Sequence, residues 1–242
     1  MNILVVNDDG IEARGIELLA EVTARHADEV YVVAPRHQNS AMSQRITIRG
    51  TLEVRKEDFP VKVNGAYSVT GTPADCVKAS TEFILKDKRI DYVFSGINFG
   101  FNTGYEIAYS GTIGAAMEAL MKGYPAAAFS ADTFYDYRVT EKYIDGIIEE
   151  ILSSERLKDG IYNVNFPTCP PEDSHGILRD RVIETRQYFQ DYFEVQKHGD
   201  VYLLDAIGRV DYDLELNEDS DLAAVLDGYV SMGIVRCNVF AK

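Results

Sequence analysis

Apolar residues come in short unbroken blocks separated by amphipathic stretches. Residues 3–6 (Ile-Leu-Val-Val) form the first block, closed by Asn7-Asp8-Asp9-Gly10. An uninterrupted apolar run of this length predicts a strand buried on both faces, the habit of a parallel sheet. Ile16, Leu18, Leu19 and Val22 then recur at helical spacing, and residues 30–34 make a second buried strand stopped by Pro35. The chain therefore opens β-α-β, the unit of an open α/β fold.

Residues 45–70 read as β-rich, with Ile46, Ile48, Leu52 and Val54 alternating, then Val61 and Val63, then Tyr67 and Val69. Thr72-Pro73-Ala74-Asp75 predicts a helix start, with Thr72 as N-cap, Pro73 at the first helical position and Asp75 closing a capping box. That helix runs to about Leu85. Strands are predicted over 91–97, 126–130 and 161–166, and helices over 112–121 and 139–152. The Pro- and Cys-bearing stretch 167–176 marks a boundary. Beyond it, 177–210 reads as long hairpin strands, 221–227 as a short helix and 229–240 as mostly strand. The expected organisation is an α/β core over 1–166 and a β-hairpin and helix extension over 167–242.

Composition narrows the functional classes. The 242 residues include 39 acids and 24 Lys and Arg, a formal net charge of −15, and 46% are apolar. A chain of this length and apolar content supports a real core. Its acidity argues against binding nucleic-acid polymers or membrane surfaces, which need basic patches. Cys76, Cys169 and Cys237 are odd in number and far apart, with no zinc-ligand spacing, as expected of a reduced, cytoplasmic protein. The N-terminus does not read as a secretory signal, and no run approaches the ~20 apolar residues of a membrane span.

Three loops carry candidate chemistry. Asp8 and Asp9 end the first strand, where ligands gather in open α/β sheets. Two adjacent carboxylates repel, and a hard divalent cation such as Mg²⁺ or Mn²⁺ relieves that repulsion. The competing reading is a solvated Asp-Asp-Gly turn. The loop after the second strand offers Asn39, Ser40 and Ser43. The stretch 95–112 carries glycines at 96, 100 and 104 and ends in Ser110-Gly111-Thr112 at a predicted helix N-terminus. It matches neither a dinucleotide fingerprint nor a P-loop. Free N–H groups and the helix dipole there can receive a phosphate, or the stretch is an ordinary loop with Ser110 or Thr112 as N-cap.

Taken together, these loops resemble the SurE (stationary-phase survival protein) family of metal-dependent nucleotidases. The resemblance rests on residues 3–11 with Gly15-Ile16, on Val32-Val33-Ala34-Pro35 with Ser40, on 71–77, on 95–117, and near the C-terminus on Asp221 and Gly228-Tyr229-Val230-Ser231. It implies a Rossmann-like three-layer core with a mainly parallel sheet. By position it implies one divalent cation per subunit, Mg²⁺ or Mn²⁺, held by Asp8, Asp9, Ser40 and Asn98. It also implies catalytic roles for Asp8 and Asp9, a phosphate site at Ser110, Gly111 and Thr112, and Asn102 lining that pocket. The implied reaction is hydrolysis of nucleoside 5′- and 3′-monophosphates; the mechanism expected here is in-line attack by water, with one of the two aspartates, Asp9 ahead of Asp8, orienting it or taking its proton. The implied assembly is a homodimer or homotetramer built by exchange of the extension between subunits.

Arg36, Asn39, Ala41 and Gln44 depart from the family's usual residues, as does Met232-Gly233-Ile234-Val235. His37 is a further candidate acid, whereas His26, His175 and His198 show no ligand spacing. The aromatic stretch 188–193 reads as a packed or subunit-contacting hairpin, and the acid run 211–221 as a solvated face. Two readings from other classes compete. A phosphorelay receiver fits poorly, because the chain is about twice too long and Asp91 starts its strand. A nucleotide sensor that binds without hydrolysis remains open.

Overall fold

The structure, a computed structural model, describes residues 1–132, 136–155, 158–211 and 213–237. β1 (Asn2–Val6) lies inside the sheet because both its faces are apolar. Ile3 and Val5 join one core cluster, and Leu4 and Val6 join the other, as the two-residue period of a strand requires. β2 (Glu29–Pro35) and β5 (Tyr92–Phe99) flank β1, both parallel to it. β4 (Gly65–Val69) extends the sheet beyond β2, and β6 (Ala126–Ala131) and β7 (Gly160–Phe166) extend it beyond β5, all parallel. β3 (Val54–Lys56) adds an antiparallel edge to β4.

Helices cover both faces. α1 (Arg14–Thr23) and α4 (Arg138–Ser153) bury Ile16, Leu19, Ile144, Ile147 and Ile148 on the Ile3–Val5 side. α2 (Pro73–Ala79) and α3 (Gly111–Met121) bury Cys76, Val77, Ile113 and Leu120 on the other. The predicted cap of α2 is present: Asp75 N–H donates to Thr72 Oγ1, and the Asp75 carboxylate accepts from Thr72 N–H. The helix continues as a π turn over Ser80–Ile84. The mainly parallel three-layer α/β core expected from the sequence is thus observed.

Three regions differ from the sequence pattern. Within 45–70 only β3 and β4 form. The backbone N–H and hydroxyl of Thr47 donate to the Asp75 carboxylate instead of a sheet partner, and Ile48 is exposed. The stretch 177–210 is not one hairpin. β8 (Ile177–Arg181) joins the main sheet parallel to β11 (Val230–Arg236), which itself pairs antiparallel with β7. The nine-stranded sheet, in order β3-β4-β2-β1-β5-β6-β7-β11-β8, therefore draws strands from both sides of residue 167. β8 is a short edge strand carrying Arg179, Asp180 and Arg181, charges that discourage further pairing. Only β9 (Phe189–His198) and β10 (Val201–Val210) form the hairpin, a separate two-stranded sheet turning at Gly199-Asp200. α5 (Asp221–Leu226) is capped by Ser220, and the expected strand at 238–240 lies outside the described residues.

Candidate active site

β1, β2 and β5 end at one edge of the sheet. β1 lies where the strand order reverses, with β2 on one side and β5 on the other. Such a switch point opens a crevice between the loops that leave the strands. The loop after β1 is held by Asn7, whose Nδ2 donates to Gly10 O at 2.8 Å while its Oδ1 accepts from Gly10 N–H at 3.2 Å. Gly10 has φ +104°, a backbone state that L side chains rarely adopt. This tight turn presents Asp8 and Asp9 on consecutive residues.

Asp8 is buried against the start of α3. Its Oδ1 accepts from the Thr112 hydroxyl, and its backbone O accepts from Asn39 N–H at 2.7 Å. A Cβ on Gly111 would stand 2.9 Å from both Asp8 Cβ and Asp8 Oδ2, and 3.2 Å from Asn39 O. Only a residue without a side chain lets the first turn of the helix close on this carboxylate. Asp9 is less buried and accepts from Phe99 N–H at 2.9 Å and from the Gln38 side chain. Burial pushes Asp8 up to about 6, assisted by the charge of Asp9 and opposed by the Thr112 hydrogen bond. Burial also raises Asp9, against its hydrogen bonds from Phe99 and Gln38.

Ser110 caps α3, its hydroxyl oxygen accepting from Ile113 N–H at 3.2 Å. The loop after β2 is tied to this end of the helix, because Ser43 N–H donates to Tyr109 O and Ser43 Oγ to Ala108 O. Asn98 donates its Nδ2 to Gly100 O at 2.8 Å, so its amide oxygen faces away from that bond. The structure thus brings Asp8, Asp9, Gly111 and Thr112 together, with Asn98 next to the Phe99 amide that binds Asp9. Ser40 and His37 are exposed on the β2 loop on either side of Asn39.

Asn102 is placed differently. Its Nδ2 donates to Ser130 Oγ, its N–H to Asn165 Oδ1, and its carbonyl accepts from Asn163 and Asn165. These contacts pin the glycine-rich loop to β6 and β7. A second brace is Asp221, which accepts from Gly104, Glu184 and Leu222 N–H groups at 3.0, 3.0 and 2.8 Å. The Asn163/Asn165 brace was missed from the sequence. Its signal was two asparagines two residues apart inside an apolar strand, and hence on one face of it.

The donor set fits a hard cation. Among the described residues no group of three or more His, Cys, Asp or Glu comes together, so an ion at Asp8 and Asp9 would complete its shell with neutral oxygens. Hydroxyl, amide and water oxygens suit Mg²⁺ or Mn²⁺ better than a soft metal. Two partly desolvated carboxylates held side by side are also a site that gains from such a charge.

Fold and site together define an α/β protein in which an acidic pair and a helix N-terminus meet at the carboxyl edge of the sheet. Residues 3–190 match the family model of Survival protein SurE, and the chain belongs to that family. It is 37% identical over 240 residues to a 5′-nucleotidase SurE of Clostridium botulinum (strain Kyoto / Type A2), covering 96% of this chain and 91% of that protein. A 5′-nucleotidase SurE of Alkaliphilus metalliredigens is 37% identical over 235 residues with the same coverage. The crystal structure of the SurE protein from Aquifex aeolicus superposes with a TM-score of 0.82 at 32% identity, covering 98% of this chain and 93% of that one.

Proposed function

We infer that the chain is a divalent-metal-dependent phosphomonoesterase that hydrolyses nucleoside 5′-monophosphates, and 3′-monophosphates as well, to nucleoside and phosphate. The observation that carries this reading is the contact of Asp8 with Gly111 and Thr112, which sets an anion-receiving helix end against an acidic pair. Family membership and the 5′-nucleotidase relatives support the reaction class.

Asp8, Asp9, Ser40 and Asn98 are the residues that would hold one Mg²⁺ or Mn²⁺. When bound, the cation supplies Lewis-acid charge that acidifies water and offsets phosphoryl charge. Backbone N–H groups at Ser110–Thr112 bind the phosphoryl oxygens and favour the charge that grows on them during in-line attack. Asp9, the less buried carboxylate, orients the attacking water and takes its proton. Thr112 holds Asp8 in one rotamer. Asn102 keeps the glycine-rich loop in place beneath the phosphate.

The extension over 167–242 is read as the assembly element of a cytoplasmic homodimer or homotetramer. On one face of the hairpin Phe193 and Val195 stand beside Tyr202 and Leu204, each more than half exposed. An apolar patch of this kind supports a subunit contact. No helix among the described residues is long and apolar enough to cross a membrane.

The test is phosphate release from a panel of nucleoside monophosphates with Mg²⁺, with Mn²⁺ and with EDTA. Release that requires metal and stops on chelation is the expected result. Saturable nucleotide binding with no release under any condition overturns the hydrolase reading in favour of a sensor.

A further inference from the structure

Two clefts flank the loop that leaves β2, and Arg36 and His37 form the wall between them. One, of about 370 Å³, is also lined by Arg55 and by the carboxylates of Glu12, Glu17, Glu57 and Asp58. The other, of about 280 Å³, is lined by Arg36, His37, Asn39, Arg45, by Thr47, Thr70 and Thr72, and by Val69 and Gly71, with no carboxylate among them. In a chain of net charge −15 this separation of sign is specific. Acidic side chains outnumber basic ones in the first cleft, and the second has basic ones alone in its lining.

One cationic group of the second cleft, the Arg45 guanidinium, is not consumed by the fold. Among the described residues the Arg45 guanidinium meets only Met42 Sδ, at 3.9 Å, and has no carboxylate partner. Arg36 clamps Glu53 with its two terminal nitrogens, yet its Nε is a buried donor with no acceptor. A buried donor left unpaired is costly.

The cleft shares a wall with the candidate active site. Asn39 lines it, and the same residue donates its backbone N–H to Asp8 O at 2.7 Å and brings its own carbonyl to Gly111. The backbone of His37 and Gln38 lies against Gly10, about 3.5 Å from where a Cβ would stand. A substrate whose scissile phosphate sits at Ser110–Thr112 therefore has this cleft as its neighbour across Asn39.

We propose that the Arg36–Arg45 cleft is a subsite for a second phosphate on the substrate, so that the enzyme prefers nucleoside bisphosphates to monophosphates. The proposal rests on the hydrolase reading above. Arg45 supplies a planar fork for two phosphoryl oxygens, and Arg36, held by Glu53, forms the wall beside it. Carboxylates at Glu12, Glu17, Glu57 and Asp58 deny the same group a place on the opposite side of the loop. The chemistry of hydrolysis is unchanged, and the second phosphate contributes binding alone.

The experiment compares kcat/KM for a nucleoside 5′-monophosphate and the matching nucleoside 3′,5′-bisphosphate in wild type, R45Q and R45K. Wild type is expected to favour the bisphosphate by roughly ten- to a hundredfold, the size of one charge-assisted hydrogen bond. R45Q should lose most of that preference while turning over the monophosphate normally, and R45K should keep part of it. Calorimetric titration of wild type and R45Q with the bisphosphate gives the same comparison without turnover. No preference in wild type, or equal losses for both substrates in R45Q, overturns the subsite, the latter because the cleft would then hold the nucleoside. Failure of wild type to hydrolyse either substrate, with bisphosphate affinity still lowered by R45Q, overturns the hydrolase reading and leaves the subsite standing.

Discussion

Gly111 and Asp8 are in direct packing contact. The first residue of α3 lies so close to the acidic turn after β1 that a methyl group on it would meet Asp8 Cβ and Oδ2 at 2.9 Å. Thr112 then completes the contact with its hydroxyl. The phosphate end of the helix and the acidic pair are therefore one rigid unit rather than two neighbouring loops.

Gly111→Ala tests that unit. The added methyl must push Asp8 or the helix end away, a strain of about 1–3 kcal/mol in a packed site. The expected outcome is a folded protein with a modestly lower Tm and kcat/KM reduced at least about 100-fold, because a small displacement of positioned groups is costly to catalysis. Steady-state kinetics alongside a thermal melt checks this, and unchanged kcat/KM would count against the arrangement.

Asp8→Asn should separate activity from stability. In the metal-free protein Asp8 is raised from 3.8 to about 6, so the folded state holds its proton more tightly than the unfolded chain. Stability from this group is present below about pH 4 and is lost as pH rises through about 6, by up to about 3 kcal/mol. In EDTA the variant should melt higher than wild type at pH 8, with the difference vanishing near pH 4. Hydrolysis should be lost, and added Mg²⁺ or Mn²⁺ should raise the Tm of wild type more than that of the variant. A variant that melts lower than wild type in EDTA at pH 8 would contradict the burial argument.

Asp221→Ala should loosen the glycine-rich loop from a distance. Three backbone N–H groups, on Gly104, Glu184 and Leu222, would lose their acceptor. Each buried unpaired donor costs about 1–3 kcal/mol, partly recovered by water. We expect a loss of roughly 3 kcal/mol in denaturant unfolding and faster amide exchange at 102–106. Protection that stays at the wild-type level in that segment would show that Asp221 does not hold it.

Val195→Glu places a charge in the apolar face shared with Phe193, Tyr202 and Leu204. If this hairpin joins subunits, light scattering should report a lower mass for the variant, while the circular dichroism of the α/β core is retained. An unchanged mass would place the contact elsewhere.

Much of this was legible along the chain. The buried strands, the Thr72–Asp75 capping box, a helix beginning within 110–112 and the acidic pair follow from local patterns, since burial on both faces, caps and turns depend on residues close in sequence. Other features were not legible. Ile46 and Ile48 alternate like a strand, but a side chain distant in sequence, Asp75, takes the backbone donor of Thr47. Ile177 and Leu178 read as part of a hairpin, yet the open edge of β11 recruits them into the main sheet.

By itself, then, the sequence determined the α/β class and the residue types available to the site, because period, charge and capping are properties of neighbours in the chain. Tertiary structure decided which of them meet. It closed Gly111 on Asp8, turned Asn102 toward Ser130 and Asn165, and left Arg45 without a carboxylate partner among the described residues, in a cleft beside Asn39. Those outcomes depend on strand order and on the packing of loops that leave different strands, and no spacing along the chain encodes them.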